Sequence, residues 1–89
     1  MKAVVTVVGK DRVGIIASVC MALASYNINV LDIKQTVMQG FFTMMMVVDV
    51  SESNVPMGEL VKRMEEKGKE LELSIRLQRE DIFEAMHRV

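Results

Sequence analysis

The stretch Gly9-Lys10-Asp11-Arg12-Val13-Gly14-Ile15-Ile16-Ala17 decides how the rest of the chain is interpreted. It joins an apolar, β-branched run at residues 3–8 to residues 13–23, where apolar side chains recur with helical spacing. The change of period predicts a turn between a first strand and a first helix. Gly9 and Gly14 allow the backbone to bend sharply there and allow another group to approach closely.

The start of this first helix is a candidate binding site. Asp11 is expected to cap the helix, because a short acceptor side chain satisfies the first free N–H groups. The N–H groups of Val13, Gly14 and Ile15 would then be directed out of the helix start. Because such an end carries partial positive charge, we expect it to bind a carboxylate or a phosphate.

The length and composition of the chain limit the classes of protein to which it can belong. A chain of 89 residues with 51% apolar residues predicts one folded domain over residues 1–89. A core of this size is small, so a partner subunit would help to stabilise it. The eleven basic and twelve acidic residues give a net charge of −1. This balance argues against a nucleic-acid partner, which requires a basic surface.

The sequence also lacks the marks of a membrane or secreted protein. No apolar run reaches the length of a membrane span, and the first residues show no signal-peptide pattern. One cysteine, Cys20, gives no internal disulfide and suits a reducing compartment. We therefore expect a cytoplasmic location.

Three strands are expected in the first half of the chain, besides the first helix at residues 13–26. Residues 2–8 and 41–50 are apolar on both alternating faces, which is typical of central strands. Residues 29–38 alternate apolar and polar side chains, as expected of a half-exposed edge strand. Gln39-Gly40 predicts a two-residue hairpin turn between the last two of these strands.

The second half is expected to add two helices and one strand. A helix begins near Pro56 and is expected to stop at Gly68. Residues 71–78 alternate with strict period two and predict a fourth strand. A short last helix follows, with Asp81 and Glu84 spaced as a capping pair. Its apolar face is expected to consist of Ile82, Phe83 and Met86. Its basic C-terminal end is expected to consist of His87 and Arg88.

This order of elements predicts an α+β, ferredoxin-like βαββαβ sandwich. The expected antiparallel sheet has strand order 4-1-3-2, with two helices on one face. Residues 1–79 form this core, and residues 80–89 form a C-terminal helical extension. Apolar residues on the opposite face of the central strands must then be covered by the last helix, by a second subunit, or by both.

Several motifs resemble the ACT domain, a small regulatory module of ferredoxin-like fold. The motif Gly-x-Asp-Arg-x-Gly-Ile-Ile-Ala stands between strand and helix, although Val13 replaces its usual proline. Further matches are Asp32-Ile33-x-Gln35, Gly40-x-Phe42-x-Met44 and residues 79–88. They are similar to a family of short stand-alone ACT proteins of uncharacterised function. The first ACT domain of the glycine cleavage system transcriptional repressor is similar over residues 9–35.

The resemblance implies an amino-acid ligand bound where two such domains meet, and hence a homodimer. It implies that the ligand contacts Asp11, Arg12, Val13, Gly14, Ile15 and Asn29. The helix-start N–H groups suit the ligand carboxylate, and an oxygen of Asp11 or Asn29 suits its ammonium group. An alternative is a ligand-free module that docks on an enzyme or a regulator.

Catalysis, metals and cofactors find little support in the sequence. His87 is the single histidine, so no dyad or histidine-rich metal site can form. Met44, Met45 and Met46 do not share one face of a strand, so they cannot ligate one copper ion. The mixed charges of residues 62–69 are expected to be a solvated face. We therefore expect a non-enzymatic module without a cofactor.

Overall fold

The computed structural model describes the backbone of residues 1–87 and the side chains of residues 1–85. The predictions for the side chains of Met86, His87 and Arg88 lie outside these described residues. Seven elements follow one another along the chain. They are β1 (Lys2–Lys10), α1 (Ile15–Ser25), β2 (Asn29–Met38), β3 (Phe41–Asp49), α2 (Met57–Leu71), β4 (Ser74–Arg79) and α3 (Glu80–His87).

The four strands form one antiparallel sheet in the order β2-β3-β1-β4. This order confirms the predicted ferredoxin-like sheet with the first and third strands at its centre. β1 pairs with β3 from Lys2 opposite Asp49 to Lys10 opposite Phe41. The predicted hairpin turn joins β2 to β3, and Gln39 and Gly40 both have positive φ angles, of 50° and 83°. Such angles match the right-handed twist of the flanking strands.

The core lies between one face of the sheet and the helices α1 and α2. Alternating side chains of β1 and β3 point into it, as the two-faced apolar pattern predicts. All are fully buried: Ala3, Val5 and Val7 on β1, and Met44, Met46 and Val48 on β3. Val19 and Leu23 of α1 and Leu60 and Met64 of α2 complete the centre of this core. None of the side chains described is both polar and buried.

The opposite face of the sheet is only partly covered. α3 packs on β1 and β4, and Phe83 borders a shallow depression with Val4 and Val47. Val8, Phe41 and Met45 remain 40–58% exposed. The described part of the last helix therefore covers one part of this face, and among residues 1–85 an apolar part remains exposed.

The predicted end of α2 is wrong. The helix continues through Gly68 to Leu71, and Glu72 forms its C-cap with φ 58°. Gly68 is buried, and a Cβ atom placed on it would lie 2.7 Å from the carbonyl oxygen of Leu73. The glycine therefore serves close packing of the helix on the next segment. The predicted fourth strand began at residue 71, but Leu71 still belongs to α2. The strand β4 therefore starts at Ser74.

The predicted cap of the last helix is also wrong. α3 begins at Glu80, directly after β4, so Asp81 lies within its first turn. The Asp81 carboxylate accepts the N–H of Ile82 at 3.0 Å and pairs with Arg79 at 2.8 Å. Asp81 therefore stabilises the junction between strand and helix from inside the helix.

Two glycines of α2 allow a matched test of the close packing. The substitution Gly68→Ala is expected to lower the free energy of unfolding by about 1–3 kcal/mol, because the new methyl group overlaps backbone atoms. Gly58 lies in the same helix with open space around its Cβ position. Gly58→Ala is therefore expected to raise stability by about 0.5–1 kcal/mol. Urea denaturation of both variants measures these changes, and a gain for Gly68→Ala would contradict the packing argument.

Candidate functional site

The loop between β1 and α1 is held where it leaves the strand. At Gly9 the side chain of Leu73 approaches so closely that an added Cβ atom would lie 2.4 Å from its Cδ2 atom. At Asp11 the backbone N–H donates to the carbonyl oxygen of Gly40 in the β2–β3 hairpin, at 2.8 Å. The predicted close approach at the first glycine is confirmed, and the loop is attached to the sheet end.

The start of α1 differs from the predicted start by two residues. Its N-cap is Gly14, which adopts a left-handed conformation with φ 89° and makes no side-chain cap. The prediction that Asp11 caps the helix is wrong, because Asp11 precedes the N-cap by three residues. The first intrahelical bond runs from the N–H of Ser18 to the carbonyl of Gly14, at 2.9 Å.

Because α1 starts later than predicted, its free N–H groups also lie further along the chain. The N–H groups of residues 14–17 lack an acceptor within the helix, because the first intrahelical donor is Ser18. Of the predicted donors Val13, Gly14 and Ile15, the last two belong to this set. No side chain occupies these groups as a cap, so the N-terminus of α1 retains its partial positive charge for an anion.

Arg12 ties the loop to the second helix. Its guanidinium group donates a hydrogen bond to the carbonyl oxygen of Leu71, in the last turn of α2. A guanidinium group carries five N–H donors, so others remain for a ligand carboxylate. Arg12 therefore positions the loop and also brings positive charge to it.

Four of the six predicted ligand contacts line one surface depression of about 350 Å³. They are Arg12, Val13, Gly14 and Ile15, and the depression also touches Ser18 of α1. Its far wall is the C-terminal part of α2, with Glu70 and Leu71. Asp11 lies in the same loop but does not line this depression.

Glu70 is a polar residue of this site that the sequence did not predict. It pairs with Lys67 at 3.5 Å, and its side chain is 69% exposed. It follows directly on a run of mixed charge, so nothing in the sequence separates it from a solvated helix face. Together, Arg12, the α1 start and Glu70 place donors and a carboxylate at one depression, an arrangement that suits the two charged ends of an amino acid.

Asn29 lies at the opposite end of the sheet. It pairs with Asp49, which pairs in turn with Lys2 at the beginning of β1. Asp11 follows Lys10 at the other end of this strand, so the two predicted contacts are separated by roughly the strand length, about 26 Å. Within one chain, the structure therefore does not bring Asn29 together with the loop.

At this end of the sheet Asp49 lies opposite Asn29, and its carboxylate pairs with the N-terminal ammonium group of Met1 at 3.5 Å. The hydroxyl and the N–H of Ser51 donate hydrogen bonds to the Asp49 carboxylate, and they lower the pKa of this carboxyl below its ordinary value. Asp49 is therefore ionised at neutral pH. The N-terminal ammonium group of Met1 already supplies a cationic partner for this carboxylate.

The described residues form neither a metal-binding cluster nor a membrane-spanning helix. No cluster of three or more histidine, cysteine, aspartate or glutamate side chains there could hold a metal ion. No described helix has the length and apolar character needed to cross a membrane.

Comparison with known proteins identifies the family. The model of the ACT domain family matches residues 2–78. The chain belongs to the ACT domain family. It is 53% identical over 89 residues to a UPF0237 protein of Clostridium acetobutylicum, with complete coverage of both chains. Its relatives are thus short proteins that consist of little more than an ACT domain.

Solved structures agree with this assignment. An ACT domain protein from Streptococcus pneumoniae superimposes with a TM-score of 0.83 at 44% identity, covering 98% of each chain. A glycine cleavage system transcriptional repressor superimposes with a TM-score of 0.72 at 23% identity, covering 86% of this chain and 44% of its own. The second similarity shows the shared fold. The resemblance to short ACT proteins is therefore confirmed.

The contact between Arg12 and Leu71 can be tested by stability. Arg12→Gln is expected to lower the free energy of unfolding by about 1 kcal/mol, because a charge-assisted hydrogen bond to a helix C-terminus is lost. Lys10→Gln removes a neighbouring exposed charge and is expected to change it by less than about 0.5 kcal/mol. Denaturation in guanidinium chloride measures the free energy of unfolding of both variants. Equal changes would show that the hydrogen bond between Arg12 and Leu71 adds no stability.

Proposed function

We propose that this ACT domain, a single domain over residues 1–89, is a regulatory module that binds an amino acid as a homodimer. The ligand lies between the two subunits. The observation that supports this proposal most directly is the separation of Asn29 from the loop of Asp11 and Gly14. A second copy that runs antiparallel to the first brings its own Asn29 to the loop end, and so completes the predicted set of contacts.

The site has two sets of contacts, and each set suits one charged end of an amino acid. The N-terminus of α1 and the spare donors of Arg12 bind the carboxylate. The side-chain oxygen of Asn29 from the second copy accepts a hydrogen bond from the ammonium, and Asp11 adds negative charge near it. Gly14 leaves open space where the ligand lies, because nothing is within 4 Å of its Cβ position.

A ligand that contacts both subunits shifts the equilibrium of their association. It binds the dimer and has no complete site on a single chain, so binding shifts the population toward the dimer or toward one arrangement of its subunits. A protein partner that recognises that arrangement would then respond to the amino-acid concentration. We propose no catalytic role and no cofactor. The single cysteine leads us to propose a cytoplasmic location.

A second candidate function is a ligand-free interaction module that docks on a metabolic enzyme or a transcriptional regulator. The observation that favours it is the apolar part of the open sheet face, where Val8, Phe41 and Met45 are 40–58% exposed. Contiguous exposed apolar residues are typical of protein-binding surfaces. In this case amino acids would leave the stability of the protein unchanged.

A thermal-shift panel of the common amino acids tests the leading proposal. A ligand at a hundred times its dissociation constant is expected to stabilise the fold by about 2.7 kcal/mol. Gly14→Ala is expected to abolish the shift, because its methyl group enters the ligand space. Gly40→Ala is the matched control, since Gly40 has a similar φ of 83° and equally open surroundings. Both variants are expected to lose roughly 1–2 kcal/mol through backbone strain.

A complementation experiment tests whether the site is shared between subunits. Gly14→Ala and Asn29→Ala are each expected to abolish ligand binding. In a refolded equal mixture of the two variants, each mixed dimer has one intact site, so roughly a quarter of all sites should bind. Calorimetry with the ligand from the panel measures this fraction. No recovery in a mixture that does contain mixed dimers would place the whole site within one chain, as the depression beside Glu70 would require.

A further inference from the structure

The open face of the sheet consists of rows of side chains that run across the strands. Residues paired between neighbouring strands lie side by side, and every second pair directs its side chains to the same face. One row contains Arg76, Thr6, Met45 and Lys34, in the order β4, β1, β3 and β2. The next two rows toward the β2–β3 hairpin contain Ser74, Val8, Thr43 and Thr36, and then Lys10, Phe41 and Met38. We call these three rows the open-face patch.

The centre of the open-face patch is apolar. Its four apolar side chains are 40–67% exposed, and they are Val8, Met38, Phe41 and Met45. The hydroxyl groups of the serine and threonine residues lie between and around them. An apolar centre with a polar rim is the usual anatomy of a surface that binds another protein.

Three cations surround this centre. Arg76 and Lys34 lie at the two ends of the first row, three strand spacings or about 14 Å apart. Lys10 lies four residues along β1 from that row, which is again about 14 Å. None of the three forms an ion pair with another described residue, and no carboxylate belongs to the three rows. The charges of the patch therefore favour an acidic partner.

The same face of the sheet already holds an acidic amphipathic helix. α3 packs on β1 and β4, and its Phe83 borders a depression with Val4, two residues along β1 from the first row of the patch. The first turn of α3 carries Glu80 and Asp81, and Glu84 follows one turn later. The chain itself thus shows that this face accepts a helix with one apolar side and several carboxylates.

We propose that the open-face patch binds an acidic amphipathic helix of another protein. This role rests on the second candidate function, the interaction module, and specifies the chemistry of its partner. A helix with its side chains is about 10–12 Å wide, so it fits between Arg76 and Lys34 when its axis follows the strands. Its apolar stripe covers Val8, Phe41 and Met45, and carboxylates on its two flanks reach the cations.

The charges disfavour a second copy of the same patch as the occupant. Two copies packed face to face would bring the cations of both patches together without a carboxylate from either. Like charges placed opposite each other across an interface cost free energy and suppress that pairing. A partner of opposite charge avoids this cost.

A synthetic peptide tests the chemistry of the partner. The probe has about 18 residues, or about five turns of helix, with leucines along one stripe and glutamates on both sides of it. Its binding is expected to shift the amide NMR signals of Val8, Phe41 and Met45 and to leave those of the solvated face of α2 unchanged. An otherwise identical peptide with lysines in place of the glutamates is expected to bind at least roughly tenfold more weakly.

Charge reversal in the protein provides the matched test. Lys10 and Arg76 lie on the same flank of the proposed helix and outside β2, so their replacement leaves the strand of Asn29 unchanged. The double variant Lys10→Glu, Arg76→Glu is expected to bind the glutamate peptide roughly tenfold more weakly than the wild type and to prefer the lysine peptide. The control Lys62→Glu, Lys69→Glu on α2 makes the same change in net charge and is expected to bind as the wild type does.

The outcomes separate the chemistry of the partner from the existence of the surface. Equal binding of the two peptides at the patch supports an interaction surface and overturns the acidic partner, and so does an equal loss of binding in the α2 control. No shift at the patch with either peptide overturns both the partner and the second candidate function, whereas the amino-acid panel decides the leading proposal independently. If the chain binds neither peptide but binds vesicles of phosphatidylserine and phosphatidylcholine through Lys10 and Arg76, the occupant is an anionic membrane and the proposal is overturned.

Discussion

The enclosure of β1 between two antiparallel neighbours is the constraint on which the structure depends. Ala3, Val5 and Val7 face a core without any described polar side chain, and residues 3–8 of the strand have a partner strand on each side. β1 cannot shift by one residue without exchanging its buried and exposed faces. The loop that follows it is thereby fixed at one end of the sheet, and the start of β2 is fixed at the other.

Under the proposed function, this arrangement gives the chain half of a binding site at each end of the sheet. A site of that kind is complete only in an assembly, so ligand affinity and subunit affinity are linked quantities: each reports on the other. A chain of 89 residues has little core with which to build a closed pocket of its own. Use of a subunit boundary is a physically reasonable solution for so small a domain.

Most of the fold could be predicted from the sequence because it follows from local periodicity. β1 and β3 are apolar on both faces, β2 alternates, and Gln39-Gly40 has the composition of a tight turn. These patterns act over a few residues and do not depend on the remainder of the chain. They determine the element order, and the element order together with burial determines the positions of the strands in the sheet.

The wrong predictions share a different physical cause. Gly68 was expected to stop a helix, since nothing local reveals that Leu73 and Ile75 leave no room for a side chain there. Asp11 was expected to cap α1, but β1 extends to Lys10 and its neighbour is held by the hairpin. The approach of Glu70 to the loop likewise depends on contacts between residues distant in sequence. Such contacts are properties of the packed molecule, which periodicity does not describe.

The composition of the core has a chemical consequence. Met44, Met46 and Met64 are completely buried, and no polar side chain among the described residues lies beside them in the interior. Unbranched thioethers fill irregular space well, which suits a small core. Oxidation of any of them to the sulfoxide would bury a strong hydrogen-bond acceptor where no described side chain can donate to it. Oxidants that reach these methionines during transient opening would therefore disfavour the return to the folded state until the sulfoxide is reduced.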